Sequence, residues 1–489
     1  MNLKLEYADL ARLEKIREAL EANDPQRHFA PLGMHQLTIA TDAIDALTAA
    51  VARELERAGR TAGRASRVCV LADAVPIMRA GHNLKELVFD RLSQHFDVER
   101  LILTDSHPTL HADEASLLQA TEGTTQADCI VSVGGGTITD IAKIAAMRNK
   151  TPVHVVVQTA ATVDGFTDNF SVVLQKGVKR TLLSRWPDVV LTDCQTIAEA
   201  PHELNASGFG ELVSMYCAPG DWFLAAKFGM DGTFAPALIE LLALCGEGVE
   251  EWSAGVGRGE IEGCRRLATA LAVRGIVSGV GGTTASLSGM EHVISHMLDM
   301  HNGEQGEPIG LHGAQVGVAS VIAAAAWEVF CERMEETPLD TNRLFDGGVD
   351  WQVRVKGAFA GLDPSGRIGS ECWLHYQQKL THWSENRKTV LAAFANWQTI
   401  RKERNDFTLS SREIAACLYR AKAPLRSGDL NPAVSADLWR WAVANCQFMR
   451  ERVTVADLLN LAGWWDEAGV SRVLDRAEAA CQAAEAGSS

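Results

Sequence analysis

From Arg67 onward the chain alternates short, unbroken apolar runs with stretches whose apolar residues recur at helical spacing. Val68–Ala72, Leu101–Thr104, Asp128–Val133 and Val153–Val157 have the length and β-branched character of buried strands. Between them, 84–96, 111–121 and the segment from Gly136 through Met147 have helical spacing. Short apolar strands separated by helices predict a parallel sheet covered on both faces. Ahead of this alternation, a charged amphipathic pattern over 5–23 and another from Thr41 to Ala58 predict two packing or oligomer helices. Beyond Asp193 strand patterns cease. Helical spacing fills 236–252, 261–277, 316–334, 386–403, 410–421, 435–450 and 455–463, and the Ala/Glu-rich tail after Arg476 reads as frayed. The predicted fold class is therefore an α/β domain with a parallel sheet over residues 1–205, followed by an all-helical domain over 206–489.

Composition narrows the function. A chain of 489 residues, 47% hydrophobic and 22% charged, is an ordinary globular protein long enough for two or three domains. A net charge of -16 argues against nucleic-acid partners and anionic membranes, but leaves room for a local basic pocket holding a small anion. The eleven cysteines include no CxxC pair, which fits reduced thiols. With no signal-peptide pattern and no run of some 18 uncharged apolar residues, the expected location is the cytoplasm, with no membrane span. Residues 337–387 show no chemistry, and Trp351, Trp373 and Trp383 read as packing.

Two stretches carry candidate chemistry. His292 and His296 stand four apart in a helical pattern, so both imidazoles share one face, and a Gly/Glu-rich return leads to His312. Such a group suits a divalent metal if a carboxylate joins it, and spacing alone does not choose between His292 and His296. The second stretch is Gly134-Gly135-Gly136-Thr137, between a strand and a helix. Side chains are absent where a backbone must approach a ligand, and the helix N-terminus favours a pyrophosphate. Thr137 and Asp140 could add a hydroxyl contact and charge compensation there.

Several landmarks combine in order: Val133–Asp140, then Gln158-Thr159-Ala160-Ala161-Thr162-Val163-Asp164-Gly165-Phe166, Gly177-Val178-Lys179-Arg180-Thr181, Pro187–Asp193, Ala206-Ser207-Gly208-Phe209-Gly210-Glu211, and the histidine block. This set resembles the sn-glycerol-1-phosphate dehydrogenase family, within the superfamily of iron-dependent alcohol dehydrogenases, glycerol dehydrogenases and dehydroquinate synthases. The similarity spans residues 65 to 325, with weaker helical echoes to 465.

The resemblance implies a dehydroquinate synthase-like fold, with an NAD(P)-binding domain and a helical metal- and substrate-binding domain. It implies NAD or NADP on Gly134, Gly135, Gly136, Thr137 and Asp140, its nicotinamide near Thr159 and Thr162. It implies one divalent metal (Zn, Ni or Fe) on Glu211, His292 and His312, with His296 beside the metal or facing substrate. Asp164 matches a family residue near the substrate hydroxyl, and Lys179 with Arg180 would anchor a phosphate. The implied activity is reduction of dihydroxyacetone phosphate, or a similar small phosphorylated ketone, to sn-glycerol 1-phosphate by a homo-oligomer. Two departures stand out. The family's metal carboxylate is an Asp where this chain has Glu211, a residue type found in the dehydroquinate synthase branch, and Met215 stands where a Lys is expected. The first keeps a metal- and NAD-dependent sugar-phosphate cyclase or lyase as the alternative.

Overall fold

The computed structural model describes residues 3–105, 110–175, 178–345 and 348–487, apart from the side chains of Gln175, Val178 and Lys179. The chain divides into two compact units: Met1–Gly208 with Glu240–Gly282, and Phe209–Ile239 with Thr283–Ser489. A single cut after residue 205 differs from this division, because 240–282 falls in the first unit.

The first unit is built on six parallel strands: β1 (Gln36–Ala40), β2 (Arg67–Asp73), β3 (Asp97–Leu103), β4 (Cys129–Gly134), β5 (Val153–Gln158) and, after a hairpin of β6 (Phe170–Gln175) and β7 (Val178–Leu183), β8 (Val189–Asp193). Their order is β1-β8-β5-β4-β2-β3. Strand alternation splits the core cleanly. Val68, Val70, Val131 and Val155 face helices Leu47–Arg57 and Leu84–Ser93, while Leu71 and Ile130 face helices Glu114–Gly123 and Gly136–Asn149. From β2 the chain steps outward to β3, then returns to the other side of β2 for β4. The strand order thus reverses between β2 and β4, and a ligand crevice is expected at the carboxyl ends of strands flanking such a reversal.

Some elements depart from the sequence pattern. β1 is a five-residue strand of mixed polarity that periodicity does not reveal. Lys179 and Arg180 lie on the second strand of the hairpin, which periodicity does not reveal either. The patterns over 236–252 and 386–403 each break into two helices, and the tail after Arg476 belongs to a helix, Glu467–Ala486, that buries Ala477, Ala480 and Cys481.

Every element of the second unit among its described residues is a helix. Its longest helix, His312–Glu336, has an apolar window of mean hydropathy 1.6, which by length and composition could cross a membrane. That window is 94% buried within the protein, so it serves as a core helix. All eleven cysteines are free and buried. Trp383 packs edge-on against Phe228 and donates to the Leu344 carbonyl, in keeping with a packing role for the 337–387 region.

Candidate metal centre and nucleotide turn

The helix α1 (Gly136–Asn149) starts directly after β4, with Gly135 as its cap. A Cβ on Gly135 would meet nothing within 4 Å, whereas one on Gly134 would strike Ile138 and one on Gly136 would strike Val163. The turn is therefore packed on both sides and open at its middle residue. With the amides of the first helical turn bare of side-chain caps, it can cradle an anionic group. Thr137 is exposed in that first turn, and Thr159, buried just beyond β5, donates its amide to the Gly134 carbonyl. Thr162 follows on the same loop and is partly exposed.

Asp140 faces elsewhere. It accepts the Val172 amide at 3.1 Å and lies 3.2 Å from the Lys143 ammonium. Lys143 is fully buried and also bonds Asp168 and the carbonyls of Gly165 and Phe170. Burial pushes the Asp168 carboxyl up to about 6, against the pull of Lys143. Asp164 is met by Arg274, fully buried on helix α2 (Ile261–Gly281), with guanidinium nitrogens 3.1 and 3.2 Å from Oδ2. Two buried cations thus pin the 164–170 loop from behind. Lys143, Asp168 and Arg274 were not anticipated from sequence, since no local pattern links residues so far apart. Arg180 is exposed on β7; Lys179 contributes backbone to the same strand, and its side chain lies outside the described residues.

In the second unit, Glu211, His292 and His312 offer three ligand atoms within 4.8 Å of one another. Glu211 sits in the last turn of the helix His202–Val213 and is 3% exposed. Gly210 explains the arrangement: a Cβ there would lie 2.2 Å from the Gly313 carbonyl oxygen, so only glycine lets the two backbones approach this closely. That approach brings Glu211 Oε2 to 3.9 Å from His312 Nε2. His292, at the start of helix Met290–Gln305, sits between two carboxylates, with Nε2 3.2 Å from Glu211 and Nδ1 2.9 Å from Glu291. Burial alone would lower its pKa, but Glu211 and Glu291 outweigh this and hold it at about 9. The cluster attracts positive charge, and two imidazoles with one carboxylate form a donor set suited to a d-block divalent ion. His296 is half-buried next to the group, its ring centroid 5.4 Å from that of His312.

Comparison with known proteins bears on both features. The iron-containing alcohol dehydrogenase family matches residues 46–201, which include the glycine turn. Glycerol-1-phosphate dehydrogenase, NAD(P)+-linked by its name, from Bacillus subtilis is 30% identical over 315 residues, 62% of this chain and 75% of the relative. The namesake from Halalkalibacterium halodurans is 32% identical over 276 residues, 55% and 67% of the two chains. The chain belongs to this glycerol-1-phosphate dehydrogenase family. It is accordingly an oxidoreductase. Glycerol dehydrogenase from Schizosaccharomyces pombe shares the fold, with a TM-score of 0.55 at 15% identity, over 93% of this chain and 91% of that one. A probable glycerol dehydrogenase from Sinorhizobium meliloti aligns at a TM-score of 0.52 and 16% identity over 94% and 99%. For this family member the fold likeness thus extends well past residue 325, where the sequence resemblance thins.

Proposed function

We propose that the protein is a metal-dependent NAD(P)H oxidoreductase that reduces dihydroxyacetone phosphate, or a closely similar keto-phosphate, to sn-glycerol 1-phosphate. The convergence of Glu211, His292 and His312 in a member of this family carries the reading. These three residues would hold one divalent ion, Zn, Ni or Fe. When bound, such an ion supplies a Lewis acid that stabilises the charge developing on the substrate oxygen as hydride arrives. The Gly134–Gly136 turn and Thr137 bind the dinucleotide pyrophosphate, and Thr159 and Thr162 flank its nicotinamide. Asp164, held by Arg274, orients the substrate hydroxyl groups. His296 faces the substrate and passes a proton to the new alcohol. Lys179 and Arg180 take the phosphate.

A direct test follows nicotinamide absorbance with dihydroxyacetone phosphate and with dihydroxyacetone, for NADH and NADPH, after loading with each metal. Net oxidation of the nicotinamide with a strong preference for the phosphorylated ketone is expected. A preference for the unphosphorylated ketone defeats the phosphate assignment. Elemental analysis should find metal lost from Glu211→Ala, His292→Ala and His312→Ala and kept in His296→Ala. The second reading, a metal- and NAD-dependent cyclase or lyase, is favoured by Glu211. It requires turnover without net change in the nicotinamide.

A further inference from the structure

Each of the two imidazoles in the metal cluster has its far nitrogen occupied by a buried partner. His292 Nδ1 lies 2.9 Å from Glu291 Oε1. Glu291 is wholly buried and also accepts the Gly289 amide at 2.7 Å. His312 Nδ1 lies 3.0 Å from Ser295 Oγ, and Ser295 donates its hydroxyl to Gln315 Oε1 at 2.7 Å. Ser295 is fully buried and Gln315 is 2% exposed.

The proton inventory of these groups has a definite consequence. Glu291 Oε1 already acts as an acceptor, of the Gly289 amide, so the nitrogen facing it carries the hydrogen. Ser295 has one hydroxyl hydrogen, and it is committed to an amide oxygen that cannot donate. Its Oγ must then accept, so His312 Nδ1 also carries its hydrogen. Both imidazoles are thereby held with Nδ1–H turned away and Nε2 turned toward Glu211. A neutral imidazole binds a metal through the nitrogen that lacks hydrogen, and the partner of its other nitrogen sets which one that is. The orientation of the Gln315 amide is decisive. Were its NH2 group to face Ser295, the hydroxyl would donate to His312 Nδ1, and the hydrogen would move to Nε2.

We infer that Glu291 and the Ser295–Gln315 relay are positioning residues that fix both metal-ligating imidazoles in the tautomer presenting Nε2. Gln315, three residues beyond His312 on the same helix, sets the tautomer through Ser295 and is not one of the three proposed ligands. The inference rests on the metal reading proposed above.

The test uses the full-length protein, stripped of metal and titrated with Zn2+ against a competing chelator, with Co2+ absorption as a second readout. Wild type should bind one ion per chain. Failure of that step rejects the metal site itself, whatever the variants do. Given wild-type binding, Ser295→Ala and Gln315→Leu should each weaken Zn2+ about ten- to hundred-fold, the usual loss when a metal ligand's orienting partner is removed. The double variant should lose no more than the worse single variant, because both changes cut one relay. Gln315→Glu keeps an acceptor for the Ser295 hydroxyl and should recover most of the affinity. The Co2+ spectrum should shift in Ser295→Ala and Gln315→Leu, and match wild type in Gln315→Glu. Glu291→Gln, which keeps an amide oxygen for Nδ1–H, should lose less than Glu291→Ala. Wild-type Zn2+ affinity in a folded Ser295→Ala or Gln315→Leu overturns the inference, as does a double variant whose losses multiply. If Ser295→Ala does not fold, the comparison of Gln315→Leu with Gln315→Glu decides: equal affinities overturn the relay.

Discussion

A methyl group added at Gly210 would sit 2.2 Å from a backbone oxygen, while one added at Gly135 would find open space. The two glycines therefore predict opposite phenotypes. Gly210→Ala cannot be relieved by a side-chain rotation, so the helix must move off Gly313 and carry Glu211 with it. A stability loss of about 1–3 kcal/mol is expected in chemical denaturation, together with weakened metal binding. Unchanged metal affinity there would mean that the close approach does not position Glu211. Gly135 has φ -83° and ψ -166°, extended backbone open to any residue. Gly135→Val should keep the wild-type melting temperature and lose dinucleotide binding, read by NADH fluorescence. Normal binding would reduce the turn to a connector. Resemblance could draw Glu211 out of the sequence, but not its setting. Glycines at 208 and 210 look like helix breakers, and only the backbone of Gly313, some hundred residues on, reveals that Gly210 is a contact surface within a helix.

Among elements, the start of the Met290–Gln305 helix depends on a buried acid from another helix. Asp221, on Ala218–Lys227, accepts the amides of Met290 and Val455 and the indole of Trp327, at 3.0, 3.0 and 3.1 Å. Burial, with Glu291 nearby, pushes its carboxyl up to about 8. Asp221→Ala would strand three buried donors at about 1–3 kcal/mol each, so a loss of several kcal/mol is expected in urea unfolding. A loss under 1 kcal/mol would show that water replaces the carboxylate. The 164–170 loop is tied down in a comparable way by Lys143. Burial alone would lower that ammonium, but Asp168 and Asp140 outweigh it and raise it above the ordinary 10.5. Its contribution to stability is then full at neutral pH and is lost only as the pH climbs past that value. Asp168 has the reverse sign. Its folded carboxyl takes a proton at about 6, well before an unfolded one with the ordinary 3.8. Between those values acidification favours the folded state through this group, even as the ion pair to Lys143 dissolves. Protection against hydrogen exchange over 165–170, corrected for the intrinsic exchange rate, should therefore rise as the pH falls from about 6 towards 3.8, with no fall in melting temperature from this group. Asp168→Asn should abolish that local pH dependence. None of this was legible in advance, because burial creates it and periodicity reports only which face is buried.

At the scale of the whole chain, the alternating pattern from Arg67 to Asp193 announced the parallel sheet, since buried strands have no choice but to be apolar. The unit boundary did not show, because helices 240–282 have the same periodicity as those of the second unit. Helix Ile261–Gly281 packs on helix Cys194–Glu199 and on β1, and among its contacts are Arg274 on Asp164, the Ala30 amide on the Val280 carbonyl, and Gly279 against the Trp186 ring. A fragment of residues 1–205 lacks all three. It should be protease-sensitive and bind NADH poorly, although it holds every strand of the sheet. A compact fragment with intact NADH binding would show that the sheet suffices.

That interrupted layout also bears on synthesis. The pair joining Asp164 to Arg274 spans 110 residues, and the first unit is complete only when Gly282 has left the ribosome. At ordinary elongation rates the interval after Gly208 is on the order of five to fifteen seconds, during which the sheet and its four face helices wait on the ribosome without the helix that holds Asp164. Glu211 emerges within that same interval, well before either histidine that it meets. Until Ile261–Gly281 emerges, the apolar side of helix Cys194–Glu199 that packs on it stays uncovered, so nascent chains stalled between residues 208 and 282 are the ones expected to recruit chaperones.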